Sequence, residues 1–146
     1  MPSLDSAALP IVMVLHRGRF VSVCRTAEDF STASSGAFRT DCFTPPYVAV
    51  DANLTRYELK AVRKVAPAGP LWGLSLMHGR RFRVEHIVAS AAPTSLDELK
   101  ALVCRAVQNN LNRWDSAIGI EVGDVIQEVN DARTFDGVLS ALEPDP

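Results

Sequence analysis

The sequence predicts an α+β fold: a small antiparallel sheet, closing into a barrel or sandwich, flanked by helices. Three observations carry this expectation. Short apolar runs rich in β-branched residues alternate with Gly/Arg turns over the first ninety residues. After Ser95 the apolar period changes from two to three and four, the mark of a helix. The length of 146 residues, 47% of them hydrophobic, suits one core, because a chain of roughly 150 residues buries about 68–70% of the surface it exposes when unfolded.

Leu9 to Leu15 is the first apolar run, followed by Arg17-Gly18-Arg19 and the alternating Phe20 to Cys24, which together predict a hairpin over 11–24. Arg25 to Pro46 has the Ser, Thr, Gly and Pro content of a connection and is expected to be a linker. Residues 1–46 thus form an N-terminal segment, and 47–146 the main domain. Tyr57 to Val65 alternates polar and apolar residues as a half-exposed strand does, and Pro67-Ala68-Gly69-Pro70 ends it. A second hairpin is predicted from Leu74–Met77 and Phe82–Val88, turning at 78–81. Ser95 and Glu98 have the spacing of a capping box. Leu99, Leu102, Val103, Ala106, Val107, Leu111 and Trp114 then mark one stripe of a long helix over 95–114.

Composition excludes several classes. Fifteen Lys+Arg against 17 Asp+Glu give a formal charge of −2, without the basic footprint of a nucleic-acid binder. Cys24, Cys42 and Cys104 are odd in number and far apart, which fits neither a disulfide framework nor a Cys-x-x-Cys site. A reducing, intracellular and cytoplasmic setting is expected, although the Ser, Thr and Arg of residues 1–46 keep organelle targeting open. No apolar run approaches the ~18 to 20 residues of a membrane span, and the first Arg follows the first apolar run, the wrong order for a secretory signal. Neither hydrolase elbow, zinc-protease motif nor phosphate loop is present, so no enzyme, cofactor or metal site is expected. Cys24 or Cys42 paired with His16 or His86 is the remaining nucleophile candidate, and the spacing does not support it.

One segment resembles a known family. Ala117 to Asp131, with Gly123-Asp124 followed by Ile126, Val129 and Asn130, is similar to the signature of PDZ domains. Val122, Ile126 and Val129 fit a helix face equally well, and the resemblance alone implies a strand there. Leu71-Trp72-Gly73-Leu74 resembles the family's carboxylate-binding loop, and Thr134 to Leu142 stands where its second helix borders the peptide groove. The family's final strand is missing after this helix. The resemblance therefore implies a PDZ-like domain, permuted or cut from a tandem array, in which an N-terminal strand at about 11–16 pairs with Tyr57–Val65 and completes the sheet. Exchange of that strand between molecules, or a multi-subunit assembly, is the alternative.

The implied function is that of a non-catalytic interaction module. A partner's extended C-terminus, or an internal strand, would add to the sheet by β-augmentation, with an apolar last residue preferred. The implied peptide-binding residues are Leu71, Trp72, Gly73, Leu74, Ser75, Leu76, Phe135, Leu139 and Leu142. The loop before the motif lacks the basic residue common in the family. A structural or assembly subunit with a covered groove is the second reading, because these same side chains suit a core.

Overall fold

The computed structural model describes residues 3–15, 17–34, 43–45, 47–67, 74–75, 79–109 and 122–143. It is α+β, with strands β1 (Ile11–Leu15), β2 (Phe20–Cys24), β3 (Thr32–Ser34), β4 (Tyr47–Val50), β5 (Thr55–Pro67), β6 (Leu74–Ser75) and β7 (Gly79–Pro93). The helices are α1 (Ala27–Ser31), α2 (Leu96–Asn109), α3 (Val122–Asp131) and α4 (Phe135–Leu142). Six strands lie in the order β2-β1-β4-β5-β7-β3, β6 pairs with the start of β7, and every pairing is antiparallel. The sheet curls into a half-barrel, and α1 touches both β2 and β7 across its open side.

The predicted first hairpin is present, with Leu15 opposite Phe20 and Ile11 opposite Cys24. Its loop is closed by the amides of Gly18 and Arg19, both donating to the Leu15 carbonyl. Arg17 and Gly18 take left-handed backbone, at φ 58° and 84°, and a glycine adopts that conformation without a Cβ penalty. The expected pairing of residues 11–16 with 57–65 is replaced by another: β4 stands between them, paired to β1 through Met13 opposite Ala49 and to β5 through Ala49 opposite Tyr57. The reason is burial. Tyr47-Val48-Ala49-Val50 is apolar at every position and buried at every position, so it belongs at the centre of a sheet covered on both faces.

The segment expected to be a linker contains two elements, α1 and β3. Asp29 starts α1 by accepting from the amides of Arg25 and Thr26 at 2.9 and 3.0 Å, which satisfies donors that a helix start leaves open. Residues 35–42 and 46 of that segment lie outside the described residues.

The second hairpin is displaced from its expected limits. β7 begins at Gly79 rather than Phe82 and continues beyond Val88 to Pro93, pairing with β5 from Thr55 to Pro67. Three irregularities in that register, at Glu58/Leu59, Leu59/Ala61 and Lys64/Ala66, supply the extra twist that bulges bring to a ribbon.

The long helix is observed as α2, and Ser95 caps it by accepting from the Glu98 amide at 3.2 Å. Glu98 takes the Thr94 hydroxyl at 2.6 Å instead of completing the box. Leu111 and Trp114 lie outside the described residues. The strand implied for Gly123–Asn130 is corrected: this stretch is helical, in α3. Val125 and Val129, four residues apart, are buried while Gly123, Asp124, Gln127 and Glu128 are exposed, which is the burial period of a helix docked on one side.

Two layers of core result. On the convex face Val12 and Val50 meet Leu99, Val103 and Val107 of α2, Val125 and Val129 of α3, and Val138, Leu139 and Leu142 of α4. On the concave face Ile11, Met13, Leu15, Tyr47, Ala49, Tyr57 and Leu59 enclose Leu4 and Phe30. Successive side chains of β1 and β4 thus serve opposite cores, as the period of two requires. Strands from both sides of residue 46 share these cores.

Asp51 fastens the turn between β4 and β5. Its carboxylate, 3% exposed, accepts from the amides of Ala8, Asn53 and Thr55 at 3.1, 3.0 and 2.9 Å and from the Tyr57 hydroxyl at 3.3 Å. Those bonds hold Leu54 at φ 58°, where a glycine would be usual.

Candidate functional site

The expected groove residues divide into three groups. Leu71, Trp72, Gly73 and Leu76 lie outside the described residues. Leu74 and Ser75 form β6, paired with Arg80 and Gly79 at the start of β7. Phe135, Leu139 and Leu142 are on α4, where Thr134 caps the helix by accepting from the Gly137 amide at 3.0 Å. Their common face is occupied: Leu139 is fully buried, Leu142 is 7% exposed, and Phe135 is half-buried against the same cluster. The stripe of α4 closes the convex core.

A different surface of the sheet is open. β3 pairs with β7 only at Arg81–Arg83, and α1 approaches at His86, whose Nε2 lies 2.7 Å from the Phe30 carbonyl oxygen. Beyond that point, among the described residues, no strand pairs with the edge of β7 that faces away from β5. The run Ile87–Pro93 extends roughly 23 Å at about 3.3 Å per residue. Its residues are exposed except for half-buried Val88.

The composition of this edge is unusual. Exposed edges are commonly blunted with lysines, prolines or inward-pointing charges, whereas Ala89-Ser90-Ala91-Ala92 offers small side chains and leaves the backbone accessible, with proline only at its end. The register change beside Leu59 sets Ala89 in a bulge between Val88 and Ser90. Ser90 and Ala92 stand opposite Glu58 and Arg56, which are joined by an ion pair at 2.7 Å. Ile87, 37% exposed, stands opposite Ala61. An added strand would therefore meet an apolar position at Ile87 and small side chains beyond it, with the Arg56–Glu58 pair one strand further away on β5.

The nucleophile candidates are partly placed. Cys24 and His86 line the same cavity on the concave side. Burial, with the nearby Asp29 charge, pushes the Cys24 thiol up to about 11 despite a hydrogen bond from Ser22 that works the other way, so it stays protonated at neutral pH and is a poor nucleophile. Cys42 and His16 lie outside the described residues. Among the described residues no group of three His, Cys, Asp or Glu is placed to hold a metal ion, and no helix is long and apolar enough to cross a membrane.

No signal in the sequence marked the β7 edge, because Ala-Ser-Ala-Ala has neither period nor strong strand propensity. The α1 residues had one: Thr26 followed three positions later by Asp29 is a helix-start spacing inside the presumed linker. No family model matches this sequence, and no curated protein or solved structure matches it.

Proposed function

We propose that this chain is a non-catalytic protein-interaction module that binds an extended segment of a partner by strand addition along β7, the mode of recognition that PDZ domains use. The supporting observation is the open, small-residue edge from Ile87 to Pro93. Backbone hydrogen bonds would supply affinity there, and alternate side chains of the added strand would supply specificity. Ile87 selects an apolar residue at one position, in keeping with the preference the resemblance implied, and the small side chains from Ala89 to Ala92 leave room for larger ones beside them.

The burial of Leu139 and Leu142 favours one part of the second reading. The PDZ-type pocket against α4 is then filled by the chain's own core, and the occupant of the β7 edge is an internal strand of a partner rather than a free C-terminus.

Selection from a displayed library of extended peptides, each offered with a free and with an amidated C-terminus, tests this. Binders are expected with an apolar residue at a fixed position and little dependence on the terminal carboxylate. Ile87→Lys and Ala91→Pro should each weaken them at least about tenfold, the equivalent of one or two lost contacts, while the thermal transition is retained. Failure to select any binder, or binders indifferent to both substitutions, overturns the assignment to this edge.

A further inference from the structure

The concave side of the half-barrel holds a cavity of about 230 Å³. Met13 and Leu15 of β1, Cys24 of β2, Phe30 of α1, Phe43 and His86 of β7 form its walls. We propose that this cavity binds a small neutral phenol, a single aromatic ring whose hydroxyl donates to Nδ1 of His86.

The argument begins with the imidazole. Nε2 lies 2.7 Å from the Phe30 carbonyl oxygen. A carbonyl only accepts, so Nε2 carries the ring hydrogen and Nδ1 is left as a bare acceptor. His86 is 8% exposed, and its Nδ1 is buried without a hydrogen-bond partner among the described residues. Buried acceptors in folded proteins are almost always paired, so an unpaired one beside a cavity calls for a donor. Burial, the dominant influence, holds the imidazole below the ordinary histidine range, against the opposing effects of the Phe30 bond and the Asp5 charge. The ring is therefore neutral at pH 7, and the matching ligand group is an O–H or N–H rather than an acceptor.

The walls define the rest of the ligand. Phe43 meets His86 edge-on, with ring centroids 5.6 Å apart, and Met13, Leu15 and Phe30 add apolar surface suited to a further ring. A dry apolar cavity of about 150 Å³ is enough for benzene, so the observed volume accommodates one ring with its substituents. Among the described residues no cationic side chain lines the cavity, and the exposed Asp29 is one of its lining residues. An anion entering here would lose its hydration without gaining a cationic partner among these residues. The Cys24 thiol, protonated as described above, forms no covalent bond with such a ligand.

Titration of the full chain with p-cresol, toluene and benzoate tests the proposal, read by ¹⁵N resonances of the His86 ring and by thermal melting. Expected are saturable p-cresol binding, an upfield movement of the Nδ1 resonance and a raised Tm. Toluene should bind roughly tenfold more weakly, the usual cost of a missing hydrogen bond to a buried acceptor, and benzoate should leave both readouts unchanged. Ala33→Leu, at a buried wall position, should weaken p-cresol at least tenfold. Ser22→Leu, at a half-buried wall position, gives the same readout should the first variant not fold. The absence of saturable p-cresol binding, as for a cavity holding only water, overturns the proposal. So does equal affinity for toluene with an unmoved Nδ1, or undiminished binding in the filled variants.

Discussion

Every residue of β1 and β4 is buried, whereas β5 from Ala61 to Ala66 is half-buried or exposed throughout. The residue types are alike: Val is the commonest residue of the first pair, and Val62, Val65 and Ile87 recur in the second. The difference lies in what covers them. β1 and β4 have strands on both edges, helices on one face and the barrel interior on the other. The outer parts of β5 and β7 have each other, with β3 and α1 against one stretch of β7. Cross-strand side chains supply the remaining contacts there: Arg63 pairs with Glu85, and Lys64 Nζ sits 4.4 Å above the Phe82 ring. Surface pairs of this kind contribute little each. Stability is therefore concentrated at the centre, and an accessible edge is left at the margin.

The sharpest way to break this contrast is to place a charge at the centre. Val103, fully buried on α2, becomes an unpaired buried carboxylate in Val103→Asp, and the expected loss exceeds about 4 kcal/mol. Urea denaturation should find the variant largely unfolded. A cooperative, near-native transition would mean that α2 does not cover the sheet.

Asp51 tests the margin of the centre next. Four donors converge on its carboxylate, and Asp51→Ala leaves buried ones unpaired, at a cost of about 3 kcal/mol. Asp51→Asn keeps an acceptor and should lose less. A loss below about 1 kcal/mol in the alanine variant would show that the β4–β5 turn holds without it.

His86, where the ribbon meets α1, should give stability a pH dependence. Its folded value lies below the ordinary 6.5, so as pH falls below 6.5 the unfolded chain binds the proton first and stability decreases until the folded value is passed. The slope for one group is at most about 1.4 kcal/mol per pH unit. Compared with the wild type, His86→Phe should lose this component between neutral pH and the acid side. Identical profiles would mean that the imidazole is not held neutral.

The smallest effect belongs to the ribbon itself. Val65 is 56% exposed and sits at a register irregularity, so Val65→Ala should shift stability by less than about 0.5 kcal/mol. A loss comparable with a core truncation would erase the distinction between the two regions.

Parts of this architecture were legible from local chemistry. The first hairpin could be read because Arg17-Gly18-Arg19 interrupts two strand-like runs, and α2 because Ser95 and a regular apolar stripe mark its start and face. β4 was not legible: four consecutive apolar residues after Pro45-Pro46 have no alternation, because both faces are buried. Gly123 to Asn130 fitted two periods at once, and the PDZ resemblance favoured the strand. The observed helix follows from docking, with Val125 and Val129 in one apolar core. The groove expected on α4 failed to separate from a core stripe for the same reason, since Leu139 and Leu142 are spaced alike in either role.

What this sequence determined by itself was local: turns that need left-handed backbone, a capped helix start, and segments whose apolar period has one solution. Those choices rest on neighbours within about four residues, which the chain carries wherever it folds. Strand order, the helical state of α3, the filling of the α4 face and the open edge of β7 were decided only in the tertiary structure. Each depends on which distant surface arrives to cover an apolar face or to pair a strand, and burial of both faces removes the alternation by which a sequence announces its partners.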